Sequence, residues 1–225
     1  MVDQLSTLDA AVVASHLLQV RAEVIAADRD LEQVEILAAI KYLPVELLPA
    51  LAAGGISTVG ENRAQALESK QEAVVEGSRV GELFAHWDFI GQLQSRKVRD
   101  LLGRVRYIHS LASESALDQL GRHDPGGTEV LIEVNVADDV DKSGIAPDEL
   151  ADFISRCPIP VAGLMTMPPR AEDPEHSRPH FQALRELAAQ HALGQLSMGT
   201  TQDYRVALSE GATIIRLGNA LFSAS

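Results

Sequence analysis

Eight short apolar runs, each separated from the next by a segment of helical spacing, constrain the fold of this 225-residue chain more than any other feature. The runs fall at residues 36–40, 57–59, 87–90, 105–108, 130–136, 161–165, 195–198 and 212–217. Helical stretches are predicted between them at 45–53, 64–75, 95–102, 114–120, 147–157, 174–191 and 203–209. Strands joined by crossover helices lie parallel, whereas antiparallel neighbours need only tight turns. Parallel strands are covered on both faces and read as unbroken apolar runs, as Val130-Leu131-Ile132 and Ile214-Ile215 do. Eight such units in this length suit an α/β fold, a single (β/α)8 TIM-type barrel domain over residues 1–225. Leu8, Val12, Val13, Leu17, Val20, Val24 and Ile25 add an N-terminal helix, with Ser6 as its expected cap and Asp9 favouring its first turn. A Rossmann sheet is the rival, but the first run leads into Lys41-Tyr42-Leu43-Pro44 rather than a glycine-rich turn.

Composition narrows the partners. A net charge of −13 argues against a nucleic-acid surface, so any anion must be met by local donors. One cysteine, Cys157, permits no internal disulfide and no thiolate pair for zinc, and packing is its simplest role. The N-terminus lacks a basic patch followed by an apolar core, and no window reaches 18 uncharged apolar residues. No membrane span is expected, and a reducing cytoplasm is the default location.

In a barrel, residues just after each strand meet on one rim however far apart they stand in sequence. The rim then gathers Lys41, Gly60-Glu61-Asn62, Gly91 to Ser95, His109-Ser110, Asn135, Met165-Thr166-Met167, Ser197 to Thr201 and Arg216 to Asn219. Lys41 stands out: burial at a strand end disfavours an ammonium, and a neutral amine attacks an aldehyde to give a Schiff base. A surface lysine with its ammonium in water is the alternative. Gly199 and Gly218 permit close backbone approach in the last two turns, where barrels often hold phosphate, and Ser197, Thr200 or Thr201 add hydroxyls. Ordinary turns rich in small residues would look the same. Asn62 either bonds a ligand or caps a helix, and Arg216 either faces a ligand or forms an ion pair. Glu61 is placed to pair with a basic side chain across the rim. His86 and His109 flank strands and read as structural. His176 and His180 lack a third ligand, so no metal site is expected.

Several strings taken together resemble the pyridoxal-phosphate homeostasis proteins. They include Ala38 to Pro44, Gly60-Glu61-Asn62, His86 to Ser95 with Lys97, and Glu133 to Val136. Lys142 to Ile145, Gly163 to Met167, Leu196 to Gly199 and Arg216 to Phe222 continue the match in order over nearly the whole chain. The resemblance implies a barrel like the N-terminal domain of alanine racemase, with pyridoxal 5′-phosphate (PLP) bound to Lys41 as an internal aldimine. It places Arg216 near the pyridine nitrogen, Ser197, Gly218 and Asn219 around the phosphate, and Asn62 nearby. Asn219 stands where threonine is common, and Thr201 replaces a usual serine. The loop at 138–142 is placed near the rim, where it could respond to bound phosphate.

The resemblance implies a PLP-binding protein acting in homeostasis, a cytoplasmic monomer that passes cofactor to apo PLP-dependent enzymes. An amino-acid racemase is the alternative, but racemisation needs a second base from a further domain. The sequence runs only to Ser225, so the binding role is expected. A sugar-phosphate enzyme would need a paired acid and base, and only Glu61 offers a rim carboxylate.

Overall fold

A computed structural model of the chain describes residues 5–137 and 143–222. Eight parallel strands close into a barrel: β1 (Glu35–Ala39), β2 (Thr58–Glu61), β3 (His86–Phe89), β4 (Tyr107–Leu111), β5 (Glu129–Glu133), β6 (Val161–Met165), β7 (Gln195–Thr200) and β8 (Ile214–Leu217). Each strand pairs with its sequence neighbours, and β1 closes the ring on β8 with Glu35 opposite Ile214 and Ala38 opposite Leu217. The expected (β/α)8 architecture is the observed one.

Helices α1 (Ala10–Ala26), α2 (Leu48–Ala53), α3 (Ala64–Glu72), α4 (Val98–Leu101), α5 (Glu114–Leu120), α6 (Leu150–Arg156), α7 (Arg178–Gln190), α8 (Tyr204–Ser209) and α9 (Asn219–Phe222) lie outside the sheet. In α1, Val13, Leu17, Val20 and Val24 recur at helical spacing and are buried. Its cap is Asp9 rather than Ser6: the Asp9 carboxylate accepts the Ala11 N–H at 2.8 Å from an extended backbone. Sequence spacing had carried the third helix to residue 75, yet it stops at Glu72. Glu76 and Gly77 both take positive φ, 51° and 83°, and turn Val74–Val75 back on Ser78–Arg79 as a small hairpin.

The main apolar core fills the layer between barrel and helices, with Phe153 and Phe181 among its largest fully buried side chains. Inside the barrel the packing is mixed. Leu37, Leu131, Met165 and Ile214 form a small apolar plug, and the buried polar residues Asp88, His109, Ser197 and Arg216 share the interior. Successive residues of a strand face opposite sides, so Trp87 and Phe89 pack outward while Asp88 between them points to the axis.

Candidate functional site

The carboxyl ends of the strands open on a cleft of about 790 Å³. Lys41, Asn62, Thr201, Arg216, Gly218 and Asn219 line it together, although they come from opposite ends of the sequence. Closure of β1 on β8 brings them there. Arg170 adds a third cation to the lining, which includes no Asp or Glu among the described residues. On a chain of net charge −13, these described residues give the cleft a local positive character. A second cleft of about 630 Å³ at the amino ends of the strands mixes Arg21, Arg29 and Arg106 with Glu32 and Glu35, and so selects for neither sign.

Lys41 follows β1 by two residues and is half-buried, not buried as the apolar run suggested. The chain has already left the sheet there, and the ammonium lies 4.9 Å from the centroid of the exposed Tyr42 ring. Asn62 does not cap α3; that terminus has no side-chain cap. Instead its Oδ1 is buried and, among the described residues, receives no hydrogen bond. A buried acceptor left without a donor costs about 1–3 kcal/mol, and a ligand hydroxyl or N–H would recover it.

The two candidate glycines separate. Gly218 lines the cleft, its φ lies outside the left-handed region, and a Cβ there would come no nearer than 3.9 Å, to the Ala39 carbonyl. Nothing in the fold requires glycine at that point; the space beside it belongs to the cleft. Gly199 has φ +88°, and a Cβ would fall 2.5 Å from the Ala207 Cβ and 2.9 Å from the Tyr204 Cα. A side chain here would stop β7 packing on α8, so the fold itself asks for glycine. Thr201 is exposed, and its hydroxyl accepts a long 3.4 Å bond from the Gly218 N–H, leaving that amide largely available. Thr200 is committed elsewhere, donating through both N–H and Oγ1 to Asp203.

Ser197 is not among the residues that line the cleft. It is fully buried beneath the cleft, accepting from Arg216 Nη1 at 2.5 Å and bonded to His109 Nδ1 at 2.8 Å. Arg216 Nη2 donates to the Thr166 carbonyl and the Met167 sulfur, both at 3.1 Å. Among the described residues, no carboxylate touches this guanidinium. Burial pushes its pKa down to about 10, and the more distant Asp203 and Glu133 only partly offset that, so it stays charged at neutral pH.

Below lies a network that the sequence did not reveal. His109 Nε2 meets Asp88 Oδ2 at 3.1 Å, and Asp88 also accepts from Arg106 Nη2 at 2.6 Å. Arg106 reaches on to Glu35 with bonds of 2.9 and 2.6 Å. Burial alone would raise the Asp88 carboxyl, but His109 and Arg106 outweigh it and hold the pKa below the usual range. Burial pushes the His109 imidazole down despite Asp88. His109 was expected to flank a strand on the rim; β4 runs on to Leu111 and carries it inside. His86, by contrast, is exposed at the start of β3. Polar residues alternating with apolar ones at Trp87-Asp88-Phe89 were the available signal.

Glu61 finds its cation in Lys70 of α3, 2.6 Å away, rather than across the rim. Lys70 also donates to the Ile40 carbonyl at 2.7 Å, fixing the backbone just before Lys41. Lys142 and the rest of the loop at 138–142 lie outside the described residues. No group of three metal-ligating side chains occurs among the described residues. None of their helices is long and apolar enough to cross a membrane.

The model for the N-terminal domain of alanine racemase matches residues 16–225. The pyridoxal phosphate homeostasis protein of Aquifex aeolicus is 39% identical over 201 residues, 84% of this chain and 86% of its own. The chain belongs to the pyridoxal phosphate homeostasis protein family. The family member of Pseudomonas aeruginosa is 33% identical over 221 residues, 94% of each chain. The solved structure of PipY from Synechococcus elongatus, with PLP bound, superposes with a TM-score of 0.77 at 27% identity, covering 94% of this chain and all of that one.

Proposed function

We propose that this chain binds pyridoxal 5′-phosphate in the cleft at the carboxyl ends of the strands and holds it through a reversible Schiff-base bond to Lys41. The observation that carries the reading is a cleft with Lys41, Arg170 and Arg216 and, among the described residues, no carboxylate, in a protein of net charge −13. PLP brings a dianionic phosphate, an aldehyde and a ring hydroxyl. The unpartnered Asn62 acceptor and the free volume at Gly218 suit such a group. Membership of the family, and the PLP held by PipY, support the same reading.

Within it, Lys41 supplies the amine. Thr201, Gly218 and Asn219 receive the phosphate, and Asn62 accepts from the ring side. Arg216 directs its charge at the pyridine nitrogen. Ser197 and Gly199 contribute from beneath, through Arg216 and through the packing of β7 on α8. Bound PLP supplies an electrophilic carbon and, when its ring nitrogen is protonated, an electron sink. A charged Arg216 beside that nitrogen disfavours its protonation and mutes the sink. The residues therefore favour storage over carbanion chemistry. We read the protein as a non-catalytic carrier: a cytoplasmic monomer built on one barrel, which yields PLP to apo-enzymes that depend on it.

Absorbance of the purified protein after incubation with PLP tests the assignment. A visible band should appear, borohydride should fix the cofactor to the peptide containing Lys41, and Lys41→Ala should show neither. An unmodified Lys41 peptide after reduction would remove the covalent assignment. Sustained racemisation of L- or D-alanine would favour the catalytic alternative.

A further inference from the structure

We propose that Asp88 and His109 are positioning residues for Arg216, acting through Ser197 along a hydrogen-bond chain that runs in one direction. The part concerning ligand affinity rests on the PLP reading above; the polarity of the chain does not.

The polarity follows from the donors available. Asp88 is fully buried and carries an anion, because Arg106 binds it through Nε at 3.2 Å and Nη2 at 2.6 Å, and the Tyr107 N–H adds a bond of 3.2 Å. An ionised carboxylate only accepts, so the proton between it and His109 belongs to Nε2. The imidazole is fully buried and faces Asp88 on one side and Ser197 on the other, with the Tyr107 ring alongside at 6.2 Å between centroids. Arg216 lies one hydroxyl away, and a second cation there would be unfavourable. The ring is therefore neutral, and bare Nδ1 accepts the Ser197 proton. The Ser197 oxygen is then left facing Arg216 as an acceptor. Protons point from Arg216 to Ser197, from Ser197 to His109, and from His109 to Asp88.

This arrangement solves a specific problem. A carboxylate set directly on Arg216 would fix it but cancel its charge toward the cleft. Among the described residues, every acceptor that touches the guanidinium is neutral: the Ser197 hydroxyl, the Thr166 carbonyl and the Met167 sulfur. The anion that orders the row, Asp88, stands two neutral side chains away. Arg216 is thus held in a fixed pose with its charge undiminished, and three of the roughly five guanidinium N–H groups are used in holding it. Arg216 also lines the cleft, where a ligand would meet that charge.

Two measurements test this. In the ligand-free wild-type protein, nitrogen NMR of His109 at neutral pH should show a proton on Nε2 and none on Nδ1. A protonated Nδ1 would overturn the polarity. In PLP titrations followed by absorbance, His109→Leu removes both ring nitrogens and should weaken binding about tenfold while shifting the band of the bound cofactor. His109→Asn restores an acceptor where Nδ1 stood and should recover most of the affinity, which a merely space-filling role would not predict. Ser197→Ala cuts the same row without touching the histidine and should reproduce the loss, including where the leucine variant folds poorly. Affinity within twofold of wild type in both His109→Leu and Ser197→Ala, with the band unmoved, would sink the positioning role. If the wild-type protein takes up no PLP, the binding reading fails instead, and the NMR result still decides the polarity.

Discussion

Two glycines expected at one phosphate site should respond oppositely to the same methyl group. At Gly199 the backbone sits at φ +88°, where a side chain is strained, at a cost of about 1–3 kcal/mol. Its Cβ would also lie 2.5 Å from the Ala207 Cβ, far inside ordinary contact, and relieving that overlap in a packed layer costs about 1–3 kcal/mol more. Gly199→Ala should therefore destabilise the fold by about 3 kcal/mol, lowering Tm by about 6–12 °C in a chain of this size. At Gly218 the nearest atom is 3.9 Å away and φ is ordinary. Restricting the unfolded chain there should leave stability unchanged or raise it by about 0.5 kcal/mol. The same methyl group projects into space that the bound phosphate would occupy, so Gly218→Ala should weaken PLP binding about tenfold, or about 1.4 kcal/mol. Urea unfolding of both variants, with a PLP absorbance titration of Gly218→Ala, makes the comparison. If Gly199→Ala unfolds with the wild-type midpoint, the packing account of β7 on α8 is wrong. If Gly218→Ala keeps full affinity, the phosphate does not rest there.

Further expectations come from the buried charges. Asp88→Asn keeps the shape but removes the anion shared by Arg106 and His109; Arg106 retains Glu35, so the loss should be about 3 kcal/mol by urea unfolding. His109 is held below its ordinary 6.5, so the unfolded chain takes up a proton that the native chain refuses. Stability from this group is complete above about 6.5 and falls as the pH drops below it, and His109→Asn should flatten that limb of a pH series of unfolding midpoints. Asp88, held below 3.8, contributes a second loss only at more acid pH. Lys70→Met strands the fully buried Glu61 carboxylate and should cost about 3 kcal/mol, and an unfolding midpoint within error of wild type would show the pair to be dispensable.

Much of the site was legible because its signals are local. Lys41 follows an apolar run and Gly218-Asn219 follows another, and in a closed parallel sheet every such position falls on the same rim. His109 was assigned to the rim because its strand was ended too early. A strand end uncertain by one to three residues decides whether a side chain meets the cleft or the axis, since facing alternates at every residue. Glu61 was read correctly as needing a cation, but Lys70 sits on a helix whose rotation about the barrel the sequence does not specify.

By itself the sequence determined the eight-unit alternation, hence the barrel and the end of it on which an amine and two closing turns must meet. Periodicity of apolar residues is a property of neighbours along the chain, and it survives without knowledge of the fold. Tertiary structure alone decided which polar side chains share the interior. His109 and Ser197 are 88 residues apart and touch only because closure fixes the stagger of β4 against β7 across the axis. The same closure placed Gly199 against a helix and Gly218 against open space, a difference made by packing distances and not by residue type.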